Sequence, residues 1–278
     1  MNSKDSAIAC VETLPDLIAF WDFQEPAGRP RRARGPHGYE LKEMAGPIQR
    51  VEGGVLGPFA AELAVGQWLN LPRSQCPALD IHGPDSKVSL FAWLKRRRKP
   101  LIECEAVAGM WDETRRKRQY ALFLDLRIRG SADQAGGHIS GIGGPTPGYR
   151  YCMDAAIGRT CVEYTDEWEF VGFTYDGSEA RLYRNGCFDA RPTHNPYPYP
   201  GGLFDAGPEG ADFTVGAVHR GGAIGNWFTG FLGGLFVCSS VLTPETILSL
   251  ADATIPGRSA ETLGTMRACE ENLDYTAP

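Results

Sequence analysis

The stretch EFVGFTYDGSEARLYRNGCFDA, residues 169–190, constrains the fold more than any other part of this sequence. Two turn dipeptides, Asp176-Gly177 and Asn185-Gly186, divide it into short β-prone runs. Both dipeptides accept the positive φ angles that tight hairpin turns need. The stretch therefore predicts consecutive strands joined by tight turns, and the chain around it is expected to be mainly β.

Further segments fit the same architecture. In YALFLDLRI (120–128), apolar residues alternate with polar ones, which predicts a strand whose solvated face carries Asp125 and Arg127. KVSLFAWLK (87–95) and DFTVGAV (212–218) are predicted to be strands buried on both faces. The 34 glycines and 20 prolines among 278 residues favour many turns over long helices.

One short helix is predicted near the end of the chain, in LTPETILSLA (242–251). Thr243 is a suitable N-cap, and Pro244 suits the first turn because the missing N–H would have no partner there. Many short strands followed by one helix favour a β-sandwich.

Several blocks, in their order along the chain, resemble the laminin-G-like or concanavalin A-like jelly-roll superfamily. The resemblance lies in an opening strand with a Trp-x-Phe pattern, a pair of central strands, a Trp-x-x-Val-x-x-Thr-Tyr-Asp-Gly hairpin, and last strands leading into a short helix. The blocks are LIAFWDFQEPAG (17–28), VSLFAWLK (88–95) with AGMWDETRRKRQYALFLD (108–125), DEWEFVGFTYDGSEARLYRNGCFDA (166–190), and residues 212–247.

The resemblance implies an all-β fold, a two-sheet antiparallel β-sandwich (a concanavalin A-like jelly roll) with a short C-terminal helix and about six or seven strands per sheet. Residues 1–16 are then an N-terminal extension, 17–252 a laminin-G-like jelly-roll domain, and 253–278 a polar C-terminal tail. The superfamily includes sugar-binding modules, glycosidases, polysaccharide lyases and adhesion domains, so function must be argued from site residues.

Charge and composition narrow the partners. The net charge of −6 does not favour nucleic acid, and the segment KRRRK (95–99) is expected to be a solvated turn. No apolar run is long enough to span a membrane, and the first residues lack a secretory pattern, so a cytoplasmic location is predicted. The eight cysteines, which form no CxxC pair, are then expected to be free thiols.

No metal or other cofactor is predicted. Superfamily members often hold calcium with acids near the first and last strands, but here the matching segments are RRARGPHG (31–38) and FLGGLFV (231–237). Calcium needs six to eight oxygen ligands. The sequence lacks the usual acidic pattern, so a calcium site remains possible only at Asp22 and Glu25.

Four long loops rich in glycine, proline and polar aromatic residues carry the candidate site. If they meet over the concave sheet, they offer aromatic faces for the C–H faces of sugars and forked polar groups for their hydroxyls. We therefore expect a neutral or anionic saccharide, as an oligosaccharide or polysaccharide fragment. The candidates are Trp111 and Asp112; His138, Tyr149, Arg150, Tyr151 and Asp154; His194, Asn195, Tyr197 and Tyr199; and His219, Arg220, Asn226 and Trp227.

The loop THNPYPYPGG (193–202) is predicted to be extended, because its prolines exclude helix and central strand. In an extended segment Tyr197 and Tyr199 share one side. They are expected to form an aromatic platform beside His138 and Trp227, with a lid over the core as the alternative.

An enzyme is the second hypothesis. In a β-elimination lyase a histidine takes a proton, a tyrosine hydroxyl donates one, and an arginine neutralises a uronate carboxylate. The candidates are His138 or His219, Tyr149 or Tyr151, and Arg150 or Arg220, respectively.

A glycoside hydrolase would need two acids on one face, and the superfamily's Glu-x-Asp-x-(x)-Glu run is not found in the sequence. Asp112, Glu113 or Asp154 remain candidates, preferably one acid from each of two loops, because adjacent acids on a strand point apart. The third hypothesis is a non-catalytic interaction module whose aromatic loops form a homodimer interface.

Overall fold

Nineteen strands and two α-helices form residues 3–255, the part of the chain that the computed structural model describes. The helices are α1 (Ser3–Glu12) and α2 (Pro244–Thr254), and two 3₁₀ turns lie at Arg73–Gln75 and Pro77–Leu79. The strands are β1 (Leu17–Trp21), β2 (Arg31–Arg32), β3 (Glu40–Met44), β4 (Gln49–Glu52), β5 (Phe59–Leu63), β6 (Trp68–Leu71), β7 (Val88–Arg96), β8 (Glu105–Asp112), β9 (Lys117–Leu124), β10 (Gln134–Ile139), β11 (Ala155–Cys161), β12 (Glu169–Tyr175), β13 (Glu179–Arg184), β14 (Cys187–Phe188), β15 (Tyr197–Pro198), β16 (Phe213–Val215), β17 (Val218–Arg220), β18 (Ala223–Gly225) and β19 (Gly230–Cys238).

The strands form two sheets. The first sheet has nine strands in the order β14-β13-β12-β7-β19-β5-β4, with β1 also paired to β19 and β15 to β13. The second has ten in the order β11-β10-β9-β8-β16-β6-β3-β2, with β17 joining β8 and β18 joining β17. Pairing between the named strands is antiparallel except at His219 and Asp112, where β17 meets β8 in parallel, and an isolated parallel bridge joins Ala106 to Trp227. The predicted two-sheet sandwich with a short C-terminal helix is confirmed, and short strands of two to four residues raise the count above six or seven per sheet.

The main core lies between the inner faces of the two sheets, where alternate residues of each strand are buried. Trp21 of the first sheet stacks on Phe213 of the second, with ring centroids 5.6 Å apart. Gly137 on β10 faces this core, because a Cβ there would lie 2.3 Å from the ring of Phe173. The two sheets therefore approach closely enough that a glycine is required at the contact.

Two helices cover the outer face of the first sheet, where the sequence predicted one. α2 begins as predicted: the Thr243 hydroxyl accepts the N–H of Thr246 at 3.3 Å. α1 lies within the predicted extension 1–16, and its Val11 joins the aromatic cluster under both helices. Its apolar face is too short to produce a clear helical period, which explains why the sequence did not reveal it. Within residues 3–255, no helix has the length and apolar composition that crossing a membrane would need.

Strand β9 ends at Leu124, four residues earlier than predicted. Asp125, Arg127 and Arg129 all have left-handed backbone, with φ of 52°, 55° and 51°. This local conformation turns Leu126 away from the main core and onto the outer face of the second sheet. The predicted solvated face of the strand is also buried, since Phe123 is 1% exposed.

The segment KRRRK is only partly the predicted solvated turn: Arg97 and Arg98 are exposed, but Arg96 and the side chain of Lys99 are buried. Arg96 is fully buried, and its guanidinium bonds Glu105 at 2.9 Å and Asp133 at 2.7 Å. The side chain of Lys99 is 3% exposed and donates to the backbone carbonyl of Trp227. Both cations are buried because carboxylates and carbonyls from distant segments surround them, which the local sequence does not show.

The seven cysteines within residues 3–255 are free. Cys269 and most of the predicted polar tail 253–278 lie outside the described residues.

Candidate functional site

A cavity of about 210 Å³ opens on the outer face of the second sheet. It forms where His138 on β10 lies opposite two alanines, Ala121 on β9 and Ala155 on β11. Ala121 in turn lies opposite Gly109 on β8. These small neighbours leave room above the sheet beside the imidazole, which loops then enclose.

The floor of the cavity is aromatic. The ring of His138 lies 4.8 Å from that of Trp111 and meets Phe123 edge-on at 5.4 Å, centroid to centroid. All three residues are buried. Alternation along β8, β9 and β10 sends their side chains away from the main core, so the floor is a separate apolar cluster.

His138 presents an unprotonated nitrogen. Its Nδ1 lies 2.9 Å from the backbone carbonyl of Asp154, and a carbonyl can only accept, so Nδ1 carries the proton. Nε2 is then an acceptor, and it has no hydrogen-bond partner among residues 3–255. Burial lowers the pKa of His138 to about 4, so the imidazole is neutral at pH 7.

Asn226, which follows β18, presents a donor. Its Oδ1 accepts from Arg220 Nη1 at 2.8 Å, which fixes the orientation of the carboxamide. Its side-chain nitrogen has no hydrogen-bond partner in the described part of the chain, although the residue is only 1% exposed. Positive φ (57°) at this residue aims its side chain into the cavity wall.

Two carboxylates complete the polar lining. Glu103 accepts the backbone N–H of Asn226 at 3.1 Å and that of Trp227 at 3.0 Å. Glu113 accepts the indole N–H of Trp111 at 3.3 Å. Glu103 was missed by the sequence analysis, because its partners lie more than a hundred residues further along the chain and no local motif marks it.

The left-handed segment after β9 forms one wall, through Leu126, Arg127 and Ile128. Asp125 holds the Arg127 guanidinium with contacts of 2.8–3.0 Å. The remaining lining residues come from the loops before β8 and before β11. They are Ile102, Cys104, Tyr151 and Cys152.

The structure brings five of the predicted site residues to this cavity. They come from three of the four predicted loops, as expected if those loops converge. They are Trp111, His138, Tyr151, Arg220 and Asn226. Asp154 lies directly behind them and acts through its backbone carbonyl on His138, as described above.

Two predicted residues lie on strands but point away from the cavity. His219 alternates with Arg220 along β17, and its ring meets Trp68 at 6.0 Å. Asp112, at the end of β8, is buried and bound to Arg115 Nε at 2.7 Å, where it shapes the β8–β9 turn. The predicted roles of His219 and Asp112 therefore have no support in the cavity geometry.

The other predicted residues do not line the cavity either. Asn195 is buried and bonds both backbone groups of Leu182, at 2.9 and 3.0 Å, so it anchors its loop to β13. Trp227 is held near the cavity by its backbone N–H. Tyr149, Arg150 and His194 lie outside the lining, and Tyr149 is 57% exposed.

Tyr197 and Tyr199 do share one side of their loop, but the predicted platform is wrong. Both rings pack against the main core. The Tyr197 hydroxyl donates to Asp154 Oδ1 at 2.9 Å, and the Tyr199 hydroxyl accepts the N–H of Gly141 at 2.8 Å. The loop is a lid over the edge of the core, because these internal partners satisfy hydroxyls that a displayed platform would leave in water.

Asp22 and Glu25, the two acids considered for calcium, are not placed to bind that ion. Asp22 is buried and bonds Arg34 Nε at 2.7 Å, and Glu25 accepts the backbone N–H of Arg32 at 2.7 Å. Across residues 3–255, no cluster of three or more His, Cys, Asp or Glu side chains is placed to hold a metal ion.

Comparison of the sequence with protein-family models and with curated proteins finds no match. Solved structures do match. Domain 4 of AbnA, a GH43 extracellular arabinanase from Geobacillus stearothermophilus in complex with arabinotriose, aligns with a TM-score of 0.55 and 17% identity over 85% of this chain and 98% of that domain.

Two further structures bind other sugars. The ligand-binding domain of botulinum neurotoxin serotype D, in complex with N-acetylneuraminic acid, aligns with a TM-score of 0.51 and 11% identity over 89% of this chain and 52% of that one. The Ruminococcus gnavus IT-sialidase CBM40, bound to α2,3-sialyllactose, aligns with a TM-score of 0.50 and 13% identity over 72% of this chain and 100% of that one. At these identities the likeness shows a shared jelly-roll sandwich fold.

Proposed function

We propose that the protein binds a saccharide in the cavity on the outer face of the second sheet. One observation carries the proposal: the His138 Nε2 acceptor and the Asn226 amide donor belong to cavity-lining side chains that are only 5% and 1% exposed, and neither atom has a partner within residues 3–255. Neither atom is among the fully enclosed polar atoms that lack a partner, so both are open to the cavity and free to bond a molecule that enters it. A sugar hydroxyl donates and accepts at once, so adjacent hydroxyls of one ring satisfy both groups.

The shape of the cavity supports the same ligand class. Trp111 and Phe123 offer apolar surface for the C–H face of a sugar ring. A volume of about 210 Å³ is below the range of roughly 300–1,000 Å³ common for drug-sized ligands. The cavity therefore suits one sugar residue, with the rest of an oligosaccharide outside it.

The structural neighbours support the class of ligand as well. An arabinanase domain, a botulinum toxin domain and a sialidase module with this fold were solved with arabinotriose, N-acetylneuraminic acid and sialyllactose. For this chain the sugar is a proposal, because the neighbours share at most 17% identity with it.

Binding without turnover fits the cavity better than catalysis. The lowered pKa of His138, about 4, makes it a weak base at neutral pH. Glu103 is engaged by two backbone N–H groups, and His219 and Tyr149 lie outside the lining. The cytoplasmic location and homo-oligomerisation stay predictions.

The test is calorimetric titration with methyl glycosides of common pentoses and hexoses and with their short oligomers. His138→Phe keeps the aromatic floor but removes the acceptor, and we expect it to weaken affinity about two- to tenfold, the value of one net hydrogen bond. His219→Phe is the matched control and should bind normally, because His219 lies on β17, beyond β9 and β8, and its ring contacts Trp68.

Absence of binding by every sugar at millimolar concentration would contradict the proposal, as would unchanged affinity in His138→Phe. If that variant fails to fold, the proposal can still be tested by NMR on the unmodified protein. In ¹⁵N NMR, a bound hydroxyl should shift the resonance of His138 Nε2.

A further inference from the structure

We propose that the cavity selects an uncharged sugar residue and excludes the carboxylated counterpart of the same sugar. This inference rests on the proposed function and names its ligand class more narrowly. It follows from the chemistry of the two cavity-facing groups without partners, His138 Nε2 and the Asn226 amide, and from the charges around them.

The cations of the lining are already engaged. Arg127 is bound by Asp125 through both Nε and Nη2. Arg220 donates through Nη1 to Asn226 at 2.8 Å and faces Glu103 at 3.4 Å. Every cation of the described lining thus has a carboxylate partner, whereas recognition of an anionic sugar needs a cation free for the ligand.

Carboxylates stand beside both groups that are free to bind. Glu103 holds the backbone of Asn226, whose amide is the free donor. Glu113 bonds the indole of Trp111, whose ring packs on the imidazole of His138, the free acceptor. Both acids are already paired, Glu103 with Arg220 and Lys99 and Glu113 with Arg118. A ligand carboxylate would therefore have to compete with them for the same cations, and the low dielectric of a buried site makes an unpaired negative charge costly there.

The free nitrogen of His138 gives an independent reason. With Nδ1–H donated to Asp154, Nε2 can only accept. An ionised carboxylate also only accepts, so it would face the nitrogen lone pair without a proton between them. A hydroxyl supplies that proton, and the neutral sugar therefore satisfies a group that the uronate cannot.

The experiment compares matched pairs by calorimetry at pH 7: methyl glucoside with methyl glucuronide, methyl galactoside with methyl galacturonide. We expect each neutral glycoside that binds to bind at least about tenfold more tightly than its carboxylated partner. Equal or tighter binding of the uronate overturns this inference and leaves saccharide binding intact. Absence of binding by both members of every pair overturns the proposed function, and this inference with it.

Two variants test the stated cause. Glu113→Gln keeps an oxygen to accept from the Trp111 indole but removes the charge, so the neutral-to-uronate ratio should fall several-fold. Glu52→Gln removes an equal charge from an exposed position on β4 of the first sheet and should leave the ratio unchanged. An unchanged ratio in Glu113→Gln would show that its charge does not set the selectivity.

Discussion

At the scale of single residues, the state of His138 is set by its surroundings. Trp111 and Phe123 keep water from the ring, and the carbonyl of Asp154 holds the proton on Nδ1. Burial disfavours the charged imidazolium, which lowers the pKa from 6.5 to about 4. The side chain that makes the proposed ligand contact therefore also affects folding stability.

This shift predicts how stability depends on pH. Below about pH 6.5 the unfolded chain binds a proton at His138 that the folded chain does not, so acidification stabilises the unfolded state. Near pH 4 the free energy of unfolding has fallen by about 3 kcal/mol through His138 alone, and the folded side chain also begins to titrate there. Urea unfolding at pH 7, 6, 5 and 4 measures the loss.

His138→Phe is the control for that experiment, because carboxyl groups titrate in the same range and are common to both proteins. The variant should lose less free energy of unfolding than the parent between pH 7 and 4. Equal losses in the two proteins would show that His138 is not buried in the neutral form.

Residue types and their spacing predicted part of the site. Trp111, His138 and Arg220 were recognised because polar aromatic and basic residues in long loops are typical of binding sites. Glu103 and the inward direction of Asn226 depend on contacts across the fold and on a left-handed backbone, which neither composition nor periodicity reports.

At the scale of elements, the proline-rich loop 193–202 braces the wall of the cavity from behind. The Tyr197 hydroxyl donates to Asp154 at 2.9 Å and accepts from Arg129 Nη2 at 3.1 Å. Asp154 directly precedes β11, and Arg129 ends the left-handed wall segment. One hydroxyl thereby joins two walls of the cavity.

Tyr197→Phe removes that hydroxyl and keeps the ring. We expect it to lower the free energy of unfolding by about 1–3 kcal/mol, because the Asp154 carboxylate loses a partner. Saccharide affinity should fall, since the two walls keep only the direct bond from Arg129 Nε to the Met153 carbonyl at 3.0 Å. Chemical denaturation and calorimetry measure the two effects.

Tyr149→Phe is the comparison, because Tyr149 is exposed and its hydroxyl has no bond within residues 3–255. Both measurements should match the parent protein there. If Tyr197→Phe behaves like this comparison, the hydroxyl does not brace the site.

The sequence correctly predicted the extended conformation of this loop but not the surface against which it packs. Alternation correctly put Tyr197 and Tyr199 on one side, because extended geometry is a local property. Which surface that side meets depends on Asp154 and Gly141, which approach from another loop. The same reasoning applies to β9, where alternation continues in the sequence after the strand has ended.

At the scale of the whole molecule, buried ion pairs connect the two sheets. Arg96 ends β7 of the first sheet, and its guanidinium bonds Glu105 on β8 of the second at 2.9 and 3.0 Å. It also donates to the Asp133 carboxylate at 2.7 Å and to the carbonyl of Val162 at 3.0 Å. Four segments thus meet at one guanidinium next to the floor of the cavity.

Arg96→Met should destabilise the protein by about 3–5 kcal/mol, because Glu105 stays buried without its main partner. Burial already raises the pKa of Glu105. Arg98→Met removes a neighbouring exposed cation that lies over the ring of Tyr164, and it should cost far less.

A second variant separates lost charge pairing from lost packing. Adding Glu105→Leu to Arg96→Met removes the unpaired carboxylate and should recover part of the free energy of unfolding. A double variant no more stable than the single one would show that packing, and not the buried charge, dominates.

The sandwich itself was predictable, since hairpin dipeptides and alternation are encoded locally along the chain. The sequence did not predict the burial of Arg96 or the packing of α1 over the first sheet. Each depends on partners far away in sequence, and the apolar face of α1 is too short for its pattern to predict a helix.

The placement of the helices also decides how the molecule can be oriented on a surface. α1 and α2 lie over the outer face of the first sheet, while the cavity opens on the outer face of the second. A sensor chip or carrier bead coupled through either helix would hold the cavity toward the solution. Coupling through the loop that contains Tyr149 and Tyr151 would instead block the cavity. A comparison of ligand binding by the two immobilised forms therefore locates the binding face without any substitution.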